Sequence, residues 1–208
     1  MLIDELEAIG KSIYGMPRDM LDEAGGLFPP SLYYKFFELI AAKYKPRLSV
    51  VLGVCGGGDS YHLCKGNPDG IVVGVDIARD HEPQMQYIES IYPGFKFWLG
   101  DSVASAPQIH GEYGLVDFLF IDSSHDEGML DKEWAAWKPY LQPGAICCFD
   151  DIFRPGMQEA FDRLPDPKVR MDWLHDGTYP HGGGFGVLVY NPIESNPNIP
   201  PEGYEIGN

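Results

Sequence analysis

Five carboxylates punctuate this chain at the ends of apolar runs: Asp76, Asp101, Asp122, Asp150 and Asp151. The runs before them, such as Ile71-Val72-Val73-Gly74-Val75 and Ala145-Ile146-Cys147-Cys148-Phe149, have the β-branched and apolar content of buried strands. A carboxylate accepts several hydrogen bonds at once, so one at a strand end can hold a pair of ribose hydroxyls, and several together can hold a cation. The second chemical signature is Gly53 with Gly56-Gly57-Gly58, placed directly after the run Ser49-Val50-Val51-Leu52. Glycines there let the backbone turn tightly and approach a ligand that side chains would keep out. In an open α/β sheet, ligands bind beyond the carboxyl ends of the strands, where the loop and the acids all arrive.

The loop's own spacing narrows the ligand. Gly56 and Gly58 supply the first two glycines of a dinucleotide G-x-G-x-x-G fingerprint, but Tyr61 stands in the place of the third. Gly58 is followed by Asp59, not by the Lys of a phosphate-binding P-loop, and a negative side chain there repels phosphate. A ligand without phosphates fits better.

Several elements must position these groups. Ser31 is a good N-cap for a helix carrying Leu32, Phe36, Leu39 and Ile40 at helical spacing until Lys45-Pro46. A short helix follows the glycine loop around Ser60 to Cys64, and another spans Glu82 to Ile91. Further strands are expected at Phe95–Leu99, Val116–Ile121 and Ala145–Phe149. Between the last two lies a helix with Leu130, Trp134, Trp137 and Leu141 on its buried face, ended by Pro143-Gly144. A helix over Pro155–Arg163 and strands over Val169–Leu174 and Gly186–Tyr190 complete the pattern. Residues 1–30, with a short amphipathic start at Leu2, Leu6 and Ile9 and then many Gly and Pro, read as a loosely structured arm.

Composition excludes some partners. Lys+Arg 15 against Asp+Glu 31 gives a net charge of -16, with no basic stripe to track phosphates, so nucleic acid and anionic membranes are not expected. The start lacks a basic region followed by an apolar one, and no run is long enough to span a bilayer. Cys55, Cys64, Cys147 and Cys148 form no C-x-x-C pair and read as small, reduced core residues of a cytoplasmic protein.

The runs VVLGVCGGGDS (50–60), GVDIARD (74–80), FWLGDS (97–102) and VDFLFIDSSHDEGMLDKEWAAWKPYLQPGAICCFDDI (116–152) resemble the successive motifs of class I S-adenosylmethionine-dependent methyltransferases. The nearest subgroup is the small O-methyltransferase-like one, with an Ile-Asp-x-x-His segment and a strand ending in Asp-Asp. The resemblance implies an α/β, Rossmann-like, seven-stranded and mostly parallel sheet, with helices on both faces and the last strand antiparallel. The chain is then one domain over 1–208: arm and helix 1–46, cofactor-binding core 47–153, helix and strand pair 154–190, and tail 191–208. By the same resemblance Gly53, Val54 and Gly57 pass beneath the methionine part of S-adenosylmethionine, Asp76 binds the ribose hydroxyls, and Asp101 with Ser102 lies beside the adenine. Two positions depart from the family: Val51, where many members carry an acid, and Asp151, where an Asn is usual.

The residues themselves extend this reading. Asp122, Asp150 and Asp151, converging from neighbouring strand ends without Lys or Arg nearby, would repel one another unless a cation such as Mg²⁺, Ca²⁺ or Mn²⁺ joined them. His125, three residues beyond Asp122, is positioned to take a hydroxyl proton, alone or beside Asp122 and its metal. The competing reading for His125 is a structural hydrogen bond, and for Asp101 or Asp122 the capping of the next helix. His181, in the glycine-rich stretch 176–184, is a weaker candidate for substrate contact. His62, His81, His110 and His175 read as structural or surface histidines. The expected reaction is O-methylation of a small hydroxylated molecule. The alternatives are a regulatory module that only binds the cofactor and, disfavoured by Tyr61, a nicotinamide-dependent oxidoreductase. In Tyr33-Tyr34-Lys35-Phe36-Phe37 one aromatic face is expected in the core and another open to a second copy of the chain.

Overall fold

Apolar runs bounded by Gly, Pro and Asp pair into one sheet in the computed structural model, which describes residues 2–17, 20–21, 24–124, 126, 128–175 and 183–192. The strands are β1 (Leu48–Leu52), β2 (Ile71–Asp76), β3 (Phe95–Leu99), β4 (Val116–Ile121), β5 (Leu141–Phe149), β6 (Lys168–Arg170) and β7 (Gly186–Val189). Their order is β3-β2-β1-β4-β5-β7-β6. The first five run parallel, while β7 is antiparallel to both β5 and β6. The chain steps outward from β1 to β3 and then returns to β4 on the other flank, so the order reverses between β1 and β4. That is the switch point at which an α/β sheet opens a crevice.

Register sets what faces the crevice. Leu52 pairs with Val75 on one side and Ile121 on the other, and Ile121 pairs with Phe149. Gly53, Asp76, Asp122 and Asp150 therefore leave their strands at one level.

All five residues of β1 are buried, as a central strand covered on both faces must be. Val51 points into a core with α1 (Leu2–Ile13), α2 (Leu32–Tyr44), α3 (Gly58–Gly66) and α4 (Glu82–Ile91). Val50 and Leu52 point to the opposite core, with α5 (Ala106–Tyr113), α6 (Met129–Trp137) and α7 (Met157–Arg163). In α2, Phe36, Phe37 and Ile40 are almost wholly buried, and each such side chain contributes about 1.5–3 kcal/mol relative to exposure. Lys45, left-handed at φ 50°, ends that helix just before Pro46.

The structure departs from the sequence expectations in several places. Residues 2–13 form a full helix, not a loose start: Ile3, Leu6, Gly10 and Ile13 make its buried stripe, and Gly10 lets Met171 come close. Helix α6 stops at Trp137, where Pro139 tightens a 3-10 turn over Lys138–Tyr140, and Leu141 opens β5. Leu141 stands four residues after Trp137 and so mimics a helical repeat. The segment 169–174 keeps only the short strand β6 before a 3-10 turn at Asp172–Leu174. Cys55 is exposed, whereas Cys64, Cys147 and Cys148 are buried as expected, and all are free thiols. Among the described residues no helix is long and apolar enough to cross a membrane.

Candidate active site

The loop after β1 is shaped by what its backbone must avoid. Gly53 has φ 85° and its N–H donates to the Val75 carbonyl at 2.9 Å, while the Asp122 N–H donates to the Leu52 carbonyl at 2.9 Å. A Cβ on Gly53 would strike the Asp122 carbonyl, so only glycine lets β1 and β4 end this close together. Gly57, also at positive φ, packs toward Met85 and Ile88 of α4, and a Cβ on Gly56 would meet nothing. Gly56 is thus the glycine that opens toward solvent and ligand, and Gly57 serves the packing of the loop.

Asp76 ties this loop to β2. Its Oδ2 accepts from the Val54 N–H at 2.9 Å and the Cys55 N–H at 3.2 Å, and its Oδ1 from the Ala78 N–H at 3.2 Å. A carboxylate offers about four lone-pair positions, so it retains capacity for a ligand hydroxyl. Asp101 Oδ1 accepts from the Val103 and Ala104 N–H groups at 3.0 and 2.8 Å, the capping role that sequence reasoning weighed against ligand binding. Ser102 is buried, and its carbonyl accepts from the Trp137 indole at 2.8 Å.

Two cavities lie along this edge. The smaller, about 300 Å³, is lined by Gly53, Asp76, Ile77, Asp101, Ser102 and Met129, among others. Beside it Glu133 of α6 is fully buried and accepts from the Ser123 hydroxyl. Burial raises the Glu133 carboxyl above its usual range, opposed by the Ser102 and Ser123 hydroxyls. Sequence reasoning passed over this acid, although its spacing from Leu130 and Trp137 places it on the buried face of α6.

The larger cavity, about 450 Å³, is bordered by Val54, Cys55 and Gly56 of the loop, Tyr33 and Tyr34 of α2, and the acids Asp59, Asp122, Asp150 and Asp151. Ser123 lines both cavities, so they adjoin. Leu27 and Pro29 roof the larger one. Phe28 between them is buried and stacks on Tyr61, with ring centroids 4.6 Å apart. Tyr61, the residue that breaks the dinucleotide fingerprint, thus anchors the roof.

Burial and mutual repulsion set the electrostatics. Asp59 is pushed up to about 7, first by burial, then by Asp150 and Asp76, against the hydrogen bonds it receives from the Ser60 N–H and hydroxyl. Asp122 is pushed well above the carboxylate range by burial and then by Asp150, Asp59 and Asp151. A cation does stand near the acids, contrary to expectation: the Arg154 Nε donates to Asp151 Oδ2 at 2.8 Å. Asp150 Oδ1 lies 2.7 Å from Nε2 of His175, which also lines the cavity.

Asp150, Asp151 and His175 each place a ligand atom within 4.8 Å of the others, and the Asp122 carboxyl borders the same space. Two carboxylates and an imidazole are a donor set that fits a divalent cation. The sequence marks His175 only as a structural or surface residue beside the glycine-rich stretch, whereas the structure brings it to the acids. His125 and His181 lie outside the described residues. Cys55 Sγ is 3.8 Å from His81 Nε2 at the cavity rim.

A family model described as a methyltransferase domain matches residues 50–152. No curated protein matches the sequence. Among solved structures, the O-methyltransferase from Bacillus cereus in complex with SAH is 19% identical, with a TM-score of 0.62 over 90% of this chain and 90% of that one. The O-methyltransferase TomG from Streptomyces achromogenes, involved in tomaymycin synthesis and solved with SAM, is 17% identical, with a TM-score of 0.62 over 89% of each chain. A methyltransferase from Geobacter sulfurreducens is 19% identical, with a TM-score of 0.58 over 89% of each chain. At these identities the likeness is one of fold.

Proposed function

We propose that this chain, whose residues 50–152 match a methyltransferase-domain model, is a class I S-adenosylmethionine-dependent methyltransferase that carries the sulfonium methyl to a hydroxyl oxygen of a small molecule, assisted by a divalent cation. The observation that carries this reading is the pair of adjoining cavities, one bounded by the strand-end acids Asp76 and Asp101, the other lined by four carboxylates. In this reading adenosine enters the smaller cavity. Asp76 takes the ribose hydroxyls, Asp101 and Ser102 flank the adenine, and Ile77 and Met129 supply apolar contact to its faces. The methionine part passes over Gly53 and Val54, with Gly57 setting the loop behind them. Its ammonium and sulfonium are both positive, and the field of Asp59, Asp122, Asp150 and Asp151 favours them there.

The acceptor then occupies the larger cavity beneath Leu27 and Pro29. Its hydroxyl oxygen attacks the methyl carbon, an O–C bond forms, and the C–S bond breaks with its electron pair passing to sulfur, which leaves as a neutral thioether. The methyl is already activated, so the protein's work is alignment and removal of one proton. Asp122 takes that proton once the positive cofactor is bound: burial and its acidic neighbours raise its proton affinity, and the sulfonium and ammonium lower it enough to leave the carboxylate ionised and able to act as general base. His125 is the other candidate for this role. A cation held by Asp122, Asp150 and Asp151 would lower the pKa of the acceptor hydroxyl. The O-methyltransferases of Bacillus cereus and Streptomyces achromogenes support oxygen as the acceptor atom. The acid-lined cavity supports a small neutral or cationic molecule and disfavours a polyanion such as nucleic acid.

The test is calorimetry with S-adenosylhomocysteine on EDTA-treated protein. Wild type is expected to bind, and Asp76→Ala to bind roughly a hundredfold more weakly, since charge-assisted hydrogen bonds contribute about 1.5–3 kcal/mol each. Folded wild-type protein that binds neither S-adenosylmethionine nor its demethylated product would refute the reading.

A further inference from the structure

We propose that His175 is a metal ligand, so that the cation site prefers a borderline transition ion such as Fe²⁺, Co²⁺ or Ni²⁺ over Mg²⁺ and Ca²⁺. This rests on reading the acid cluster as a cation site, and it is independent of which cofactor or acceptor binds.

Three observations carry it. The first is proximity: Asp150, Asp151 and His175 bring one ligand atom each within 4.8 Å of the others, and both carboxylates are at most 6% exposed. The second is that the imidazole is held in place. Its Nε2 meets Asp150 Oδ1 at 2.7 Å, and its ring stacks on Tyr33 at 5.8 Å between centroids and 26° between planes. Gly183 packs so close to the ring that a Cβ there would run into it. The backbone adds a further restraint, with the His175 N–H donating to the Asp172 carbonyl at 3.1 Å. A side chain fixed this way loses little further freedom when it ligates, as a built metal site requires.

The third observation is the chemistry of the donor set. Two carboxylates match the charge of a dication, and Arg154 orients one of them through its contact with Asp151 Oδ2. The remaining donor is an imidazole nitrogen. Mg²⁺ and Ca²⁺ are hard ions that take oxygen ligands, and Mg²⁺ gives up its waters reluctantly, so a nitrogen adds little to their binding. Iron, cobalt and nickel accept imidazole readily and stand higher in the order of affinities for nitrogen donors. An all-oxygen site would show the usual modest advantage of transition ions, whereas a site with His175 owes a removable part of that advantage to one side chain.

The experiment uses the full-length chain, stripped with EDTA and free of cofactor, titrated separately with Co²⁺ and Mg²⁺ by calorimetry while the Co²⁺ visible spectrum is recorded. Wild type is expected to bind Co²⁺ roughly a hundredfold or more tighter than Mg²⁺. His175→Ala and His175→Gln should each weaken Co²⁺ by about 10–100-fold, shift its visible bands, and leave Mg²⁺ within about threefold, so that the ratio of affinities collapses. Gly183→Ala, which keeps every donor but displaces the ring, should move the ratio the same way. Co²⁺ binding and spectrum unchanged in the His175 variants would overturn the proposal, and so would a wild type that binds Mg²⁺ as tightly as Co²⁺ or binds neither. S-adenosylhomocysteine titrated into the same stripped protein separates the two readings: its failure to bind sinks the methyltransferase assignment and leaves the metal result standing, and the reverse holds.

Discussion

Asp59 offers the sharpest test of the electrostatics. It sits in the first turn of α3, 4% exposed, with its carboxyl pushed from 3.8 up to about 7, mainly by burial. The unfolded chain releases this proton near pH 4, whereas the folded chain keeps it until about pH 7. Between those values the folded state binds more protons, so stability is full below pH 4 and falls as pH rises toward 7. At 1.36 kcal/mol per pH unit the loss reaches about 4 kcal/mol, and roughly 3 kcal/mol of it accrues between pH 5 and pH 8. Asp59→Asn removes the titration and keeps an oxygen to accept from the Ser60 N–H and hydroxyl. Urea denaturation in EDTA without cofactor reads the difference. From pH 5 to pH 8 the variant should gain on wild type by roughly 1 M in midpoint, at an m-value of about 2–3 kcal/mol/M. A midpoint difference that is the same at both pH values would refute the reasoning.

Two further substitutions probe the loop and the roof. Gly53→Ala combines a positive φ with a collision against the Asp122 carbonyl, so it should cost about 3 kcal/mol or more and abolish S-adenosylhomocysteine binding, checked by thermal melt and calorimetry. Phe28→Ala removes the ring stacked on Tyr61 and should cost about 3–5 kcal/mol in urea unfolding. Because Leu27 and Pro29 flank it over the larger cavity, the same change should raise the KM for the acceptor several-fold and leave S-adenosylhomocysteine affinity nearly unchanged.

The sequence was legible wherever punctuation and burial agreed. Glu82–Ile91, Phe95–Leu99 and Val116–Ile121 stand where the pattern predicts, because Pro, Gly or Asp marks their ends and their apolar positions have one period. It misled where one period imitated another. Leu141 completes a helical repeat with Trp137 yet begins β5, and Gly10 interrupts the stripe of α1 with a residue that no apolar count recognises. Helix α5 buries only Ala106 and Ile109, too little to announce itself. In the site, the strand-end acids were readable because a parallel sheet delivers consecutive strand ends to one edge. Arg154 lay three residues beyond Asp151 and was in reach, but reasoning from strand ends alone left it out. His175 arrives through a short edge strand and a 3-10 turn, whose position depends on β7 pairing antiparallel to β5 and β6, and no local pattern encodes that pairing.

The acid excess of the whole chain also takes on a different meaning at this edge. A net charge of -16 spread over a surface keeps a protein soluble, but Asp59, Asp122, Asp150 and Asp151 line a single cavity, and the first two retain protons there because burial and their neighbours disfavour charge. Above pH 7 Asp59 must ionise into that field, so without a cationic occupant the acids oppose folding more as pH rises through 7. A cationic occupant reverses this: it lowers the cost of each carboxylate charge and releases the protons that Asp59 and Asp122 hold. Binding of a sulfonium, an ammonium or a metal dication at this edge is therefore coupled to proton release. The same clustered carboxyls thus favour a cationic occupant and lower the stability of the protein without one as pH rises.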